Sequence, residues 1–494
     1  MDLTVGSPLK RILIFMLPMI LGNFVQQLYS LVDSVIVGQA IGADALTGVG
    51  STGSFSFMVL GFVSGLAQGF SVLISQRRGA NDDDGMRKSF ATGIVLMTAI
   101  VAVLTVAALF ATKPMLVAMN TQEAFLPYAV EYITVIFGGM LLSGLSNLFG
   151  ATLRAIGDSR VPLYLLIISC FLNAGMDCLF VMALGMGVQG AAIATVLANG
   201  ITAVLTFIYL WWRYPVLRFK PSHFKPNARN YGVHLRLGIP MALQMSIISI
   251  GMIFGQIALN TMEKTAVTAY VAATKIDGIA TSIINNSAAA VSVFVGQNYG
   301  AKRYDRIKTG VKQFILFSLC LCAGMCGIVL ALHRPLVMLF ISRADRTEKL
   351  FSYAFKYLVF NASFYVLLST LCISRSSLQG MGRGTLTLFS AAAEVGIRVA
   401  VSMLAIRFAS FDIVCLLNCS SWMIANCFLI PSFLVVLNKY IKLFRKTKPA
   451  TAETLSPDST DIPPEQPQIT ADTTETTQTQ IDEPLSPNEQ TNEE

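Results

Sequence analysis

Charge is what this sequence has least of. Only 13% of its 494 residues are Asp, Glu, Lys or Arg, against about 25% in a soluble globular domain. Histidine is nearly absent: His223, His234 and His333 are the three, and they fall in loops or at the ends of expected helices, far from metal-ligand spacing. The nine cysteines contain no Cys-x-x-Cys pair. All lie within apolar runs, where a thiol behaves as a small hydrophobe rather than a ligand or half of a disulfide. No Gly-x-x-x-x-Gly-Lys-Ser/Thr loop occurs, so a P-loop nucleotide site is not expected. These shortages exclude a soluble fold, a zinc centre, a disulfide scaffold and an ATP-driven motor. A hydrolase or transferase would need His/Asp, Ser/His or metal constellations that scattered histidines do not provide. Neither an enzyme nor an organic cofactor is expected.

What is present is apolar length. Hydrophobic residues make up 54% of the chain, and a bilayer core about 30 Å thick takes about 20 apolar residues per helical crossing. Windows of that length, separated by charged or Gly/Pro-marked breaks, predict twelve helices over 12–38, 48–75, 90–112, 126–153, 161–184, 189–212, 235–259, 266–295, 312–333, 351–378, 385–407 and 411–437. The first is too long for a cleaved signal peptide. The fold class is therefore an all-α, multi-pass membrane protein.

Segments flanked by Lys and Arg stay on the cytoplasmic side. Most of the 36 basic residues cluster before span 1, after spans 2, 4, 6 and 8, near the turn after span 10 and beyond span 12. That pattern places both termini in the cytoplasm of a cell that carries the protein in its plasma membrane. The positive surface suits topology and anionic lipid partners rather than nucleic acid. From 449 to 494 the composition changes: no Lys or Arg, eleven acidic residues and many Thr and Pro. Such a segment buries too little apolar surface to offset its chain entropy, so a disordered tail is expected.

The two halves resemble each other. LPMILGNFVQQLYSLVDSVIVG from Leu17 aligns with IPMALQMSIISIGMIFGQIAL from Ile239, and ADALTGV (43–49) with TAVTAYV (265–271). ISQRRGA (74–80) aligns with VGQNYGA (295–301), and GATLRAIGDSR (150–160) with RSSLQGMGRGT (375–385). Four matches in one order at a nearly constant offset of 221–225 residues indicate an internal duplication. Six spans per copy is an even number, so both copies enter from the same side. The repeats are then parallel, related by an axis along the membrane normal. Two lobes are expected, 1–220 and 221–448, around a central cavity. Gly61, Gly65 and Gly69 recur every four residues and predict a smooth face for close helix packing.

A carboxylate in the middle of a spanning helix costs about 2.5–3.5 kcal/mol on insertion scales and normally faces the bundle interior. Asp33 lies in the first span on a polar stripe with Gln26, Tyr29 and Ser30, at helical spacing. Asn173 and Asp177 are four apart in the fifth span, and Thr195 offers a hydroxyl in the sixth. If those spans meet, two carboxylates, an amide and a hydroxyl converge. Oxygen-only ligation suits a hard cation or a proton. The second-half counterparts are Gly255, Arg398 and Ser402, so this acidic set belongs to one lobe. In the second half Asp277 and Glu394 are candidates to meet a cationic substrate, although Glu394 is also spaced to pair with Arg398.

A proline early in the first span, YSLVDSVIVGQAIGADALTGVG, GLAQGFSVLISQRRGA, GATLRAIGDSRVP, and LNAGMD followed by GAAIAT form a pattern over residues 8–440. That pattern resembles the multidrug and toxic compound extrusion (MATE) family. The resemblance implies twelve helices in two lobes with a V-shaped cavity, and export of drugs or toxic organic cations against a sodium or proton gradient by a monomer. It also implies a first-lobe cation site, whose matching positions here are Asp33, Asn173, Asp177 and Thr195. The seventh span contains no acid, so a mechanism that needs a glutamate there is not expected. The rival is a flippase for lipid-linked saccharide or cell-wall precursors. Such proteins line the cavity with Arg and Lys, and the intramembrane basic residues expected here are only Lys275, Lys356 and Arg398.

Overall fold

In the computed structural model the described residues are 1–119, 121–224, 227–341 and 346–447; the expected disordered tail at 449–494 lies outside them. Every regular element among them is helical. In chain order these are α1 (Pro8–Ala40), α2 (Ala43–Ser51), α3 (Gly53–Gly79), α4 (Asp83–Ala118), α5 (Leu126–Gly138), α6 (Met140–Ala155), α7 (Arg160–Asp177) and α8 (Gly187–Arg213). The second half contains α9 (Ala228–Asn260), α10 (Lys264–Gly300), α11 (Tyr304–Ala331), α12 (His333–Met338), α13 (Glu348–Ser363), α14 (Tyr365–Gly380), α15 (Gly384–Phe408) and α16 (Phe411–Thr447).

Ten of these segments are long and apolar enough to cross a bilayer, α7 counted with the turn that follows it. Two bent pairs, α5 with α6 (52°) and α13 with α14 (44°), bring the count to twelve. The spans coincide with those expected from hydropathy. The bends are new, and they too obey the duplication: Gly139 and Phe364, the residues at the two breaks, stand 225 positions apart, the offset of the repeat. Large apolar side chains such as Val103, Phe110, Phe171, Leu316 and Val435 remain exposed, as a lipid-facing surface requires.

Two apolar cores divide the membrane domain into lobes. One is drawn mainly from 55–217 and the other mainly from 258–441. Each also borrows from the opposite half: Ile12, Phe15 and Met16 of α1 enter the second core, and Ala242 of α9 enters the first. The first helix of each copy thus packs against its own lobe and across to the other, α1 on α7 and α10, α9 on α15 and α3. The α3–α9 crossing is very close. A Cβ on Gly65 would lie 2.6 Å from the Ala242 Cα, and one on Gly69 2.5 Å from the Gly238 Cα. Only glycine allows that approach.

The repeated Gln-x-x-Gly-Ala signature forms a reciprocal contact between the halves. A Cβ on Gly79 would fall 1.8 Å from the Gln297 carbonyl oxygen, and one on Gly300 1.7 Å from that of Gln76. The Gln76 side chain donates to the Gly380 carbonyl (2.9 Å), and Gln297 donates to the Ala155 carbonyl (2.9 Å). Ala155 and Gly380 are themselves repeat equivalents. Across this junction lies the amino-terminal segment. Leu3 is fully buried; its N–H donates to Gln297 Oε1 (3.0 Å), and its carbonyl accepts from Asn298 (3.2 Å). Arg303 adds a bond to the Thr4 carbonyl (2.7 Å).

Candidate functional site

The polar stripe of α1 serves more than one environment. Gln26 faces the cavity between the lobes, and Ser30 is exposed. Tyr29 and Asp33 turn toward α7 and α8. The Tyr29 hydroxyl donates to Thr195 Oγ1 (3.4 Å), and the Asn173 amide reaches the same oxygen from the other side (3.5 Å). Thr195 therefore ties α1, α7 and α8 together. Asn173 and Asp177, four apart on α7, are buried at 1% and 0% exposure. Asp33 and Asp177 are close enough for one carboxylate's charge to act on the other.

The carboxylates are short of donors. Asp33 Oδ1 and both oxygens of Asp177 are buried and accept no hydrogen bond from any described residue. Burying an ionised carboxylate without compensation is costly enough that the group takes up a proton or a counter-ion instead. The donor set fits that role: oxygen atoms from two carboxylates, an amide and a hydroxyl favour sodium or a proton over a soft metal. Among the described residues no group of three or more His, Cys, Asp or Glu is placed to hold a metal ion; here two acids stand with neutral oxygen neighbours.

Two features of the site were not visible in sequence. Immediately after Asp177 the chain widens into a π-helical turn over Cys178–Ala183, a distortion often found beside functional groups. The second feature is Tyr132 of α5, which lies within electrostatic reach of Asp33, Asp177 and Tyr29. Tyr132 and Tyr128 pack against a small apolar cluster of Val37, Ala45, Val181, Val188 and Ala191. That cluster joins α1, α2, α8 and the widened turn at the acid-bearing end of the site.

Between the lobes lies a cavity of about 690 Å³, lined by both halves. Its wall is rich in amides and hydroxyls, with Gln68, Asn147 and Gln244 joining Gln26. Of the remaining substrate-contact candidates, Tyr29 and Ser30 are absent from the wall, and so are Asp277 and Glu394. Asp277 is buried and accepts from the Tyr365 hydroxyl (2.8 Å). Glu394 is buried and pairs with Arg375 of α14. The expected Glu394–Arg398 pair is thus corrected: Arg398 donates instead to Ser421 (3.3 Å) and Asn418 (3.2 Å). A tertiary neighbour outcompetes the helical one. Arg154 and Arg375, not among the basic residues expected inside the membrane, lie within α6 and α14 and line the cavity.

This architecture, a duplicated six-span unit with a first-lobe acidic pair beside an inter-lobe cavity, defines a secondary-transporter fold. The MatE family model matches twice, over 18–179 and 240–404, once per repeat. The chain belongs to the MATE family of multidrug efflux transporters. It is similar to "Probable multidrug resistance protein YpnP" of Bacillus subtilis (strain 168), 28% identical over 368 residues, 74% of this chain and 80% of that protein. "Probable multidrug resistance protein YoeA" of the same strain is 27% identical over 67% of this chain and 73% of its own length. Among solved structures, an outward-facing multidrug resistance MATE transporter of the MOP superfamily superposes with a TM-score of 0.81 at 22% identity, covering 88% of this chain and 97% of that one.

Proposed function

We propose that the protein is an antiporter that expels organic compounds while sodium ions or protons move inward through Asp33 and Asp177. The observation that carries this reading is the set of three buried carboxylate oxygens with no donor among the described residues. An ion drives a two-state carrier only by binding its two conformations unequally. Asp33 on α1 and Asp177 on α7 belong to helices that pack on each other, and α1 also packs on α10 of the other lobe. Ion loading therefore acts on a helix shared by the lobes. Neutralising the acids favours one packing of α1; discharging them on the other side favours the alternative.

In this reading the lobes are 1–220 and 221–448, the Gln76–Gln297 junction faces the cytoplasm with both termini, and the functional unit is a monomer in the plasma membrane. The basic residues around that junction support the orientation. The test is substrate efflux from proteoliposomes with sodium and pH gradients imposed separately. One of the two gradients drives efflux by the wild type, and Asp33→Asn or Asp177→Asn reduces the driven component to background. Gradient-driven efflux at the wild-type rate in both variants overturns the proposal.

A further inference from the structure

The cavity between the lobes carries positive charge and no negative charge. Among the described residues that line it there is no Asp or Glu, whereas Arg154 and Arg375 both do. Arg375 is compensated from behind the wall by the buried Glu394, with its Nε left without an acceptor. Arg154 is different: its guanidinium makes no hydrogen bond or ion pair with any described residue. A guanidinium stays protonated in any protein environment and offers five donors in a planar fork. Burying such a charge is costly unless something compensates it.

A bland explanation exists and falls short. Arg154 occupies the last turn of α6, where the helix dipole favours a cation by about 0.3–1 kcal/mol. That effect would be satisfied equally by an arginine directed to the membrane surface. It does not account for a second arginine, Arg375, on the same wall from the opposite half. The remaining lining mixes neutral donors and acceptors, from Gln26 and Asn147 to Gln379 and Ser159, with apolar side chains such as Phe57, Leu166 and Met241. A cation entering this space meets the unpaired Arg154 guanidinium, and the nearest acid behind the wall, Glu394, is already engaged by Arg375. An anion meets the unpaired Arg154 guanidinium, the free Nε of Arg375 and several side-chain amides.

We propose that the cavity takes an organic anion, a small molecule bearing a carboxylate or phosphate group, with Arg154 as its principal charge partner. This rests on the transporter reading and names its cargo class: the coupling ion and the cargo then occupy separate sites of opposite sign, joined along α1 between Asp33 and Gln26. Carboxylate and phosphate both match the guanidinium fork through paired, charge-assisted hydrogen bonds.

The test is equilibrium binding to the purified full-length protein in lipid nanodiscs, with no ion gradient, using carboxyfluorescein as the anionic probe and ethidium as the cationic one. Carboxyfluorescein is expected to bind at least tenfold tighter than ethidium. Arg154→Gln is expected to weaken the anion by about tenfold or more, the loss of one charge-assisted contact, and to leave ethidium unchanged or improved. Arg154→Lys restores part of the anion affinity and guards against a folding defect in the glutamine variant. Competition by adenosine monophosphate and by farnesyl phosphate distinguishes a soluble cargo from a lipid-linked one, and displacement by either supports the proposal. Ethidium binding equal to or tighter than carboxyfluorescein, or no carboxyfluorescein binding by the wild type, overturns it. Binding without gradient-driven transport would instead overturn the antiport reading and leave the charge preference standing.

Discussion

At the residue scale, the site is a set of oxygens whose hydrogen-bonding needs the protein leaves unmet. Asp177 is fully buried with neither oxygen bonded among the described residues, which is poor design for stability and good design for capturing an ion. An Asn at 177 keeps the shape and removes the charge. Asp177→Asn is therefore expected to keep or raise the thermal unfolding midpoint while abolishing coupling; a large fall in the midpoint would show that Asp177 is structural. The neighbourhood of Asn173, Asp177 and Asp33 was legible because helical periodicity placed Asn173 over Asp177 and set Asp33 in a polar stripe. Tyr132 was not, since a tyrosine in an apolar helix reads as ordinary core until the fold brings α5 beside α1. Glu394 misled for a related reason: spacing offered Arg398 four residues on, and only the tertiary arrangement reveals Arg375.

At the scale of elements, glycine sets how closely the lobes meet. The expected packing face of Gly61, Gly65 and Gly69 lies against α9, most closely at Gly65 and Gly69, whereas a Cβ on Gly61 would meet Met245 at an ordinary 3.6 Å. Gly69→Ala is expected to cost about 1–3 kcal/mol through forced separation of α3 and α9, and Gly61→Ala much less. Thermal unfolding in detergent reads the difference. Spans were legible because a bilayer imposes their length. The bends at Gly139 and Phe364 were not, because a break inside a continuous apolar run leaves hydropathy unchanged.

At the scale of the whole molecule, the duplication becomes a mechanical junction. The Gln-x-x-Gly-Ala signature stood out in the sequence, but its role needed both copies in space: each glutamine bonds the backbone of the other half, and each glycine makes room for the other glutamine's carbonyl. The two are not equal in consequence. Gln297 also receives the Leu3 N–H, so Gln297→Leu leaves two backbone groups without partners, whereas Gln76→Leu leaves one. At about 1–3 kcal/mol per buried group left unsatisfied, Gln297→Leu should be the more destabilising, and amide hydrogen exchange at Leu3 should rise only in that variant.

In the proposed antiporter, coupling rests on the first lobe's acids. Infrared difference spectroscopy of the purified protein in lipid reads carboxyl protonation and cation ligation directly. The prediction is a carboxyl signal that responds to pH or to sodium and disappears in Asp33→Asn and Asp177→Asn. A wild-type spectrum unaffected by both, or one that both variants reproduce, would contradict it.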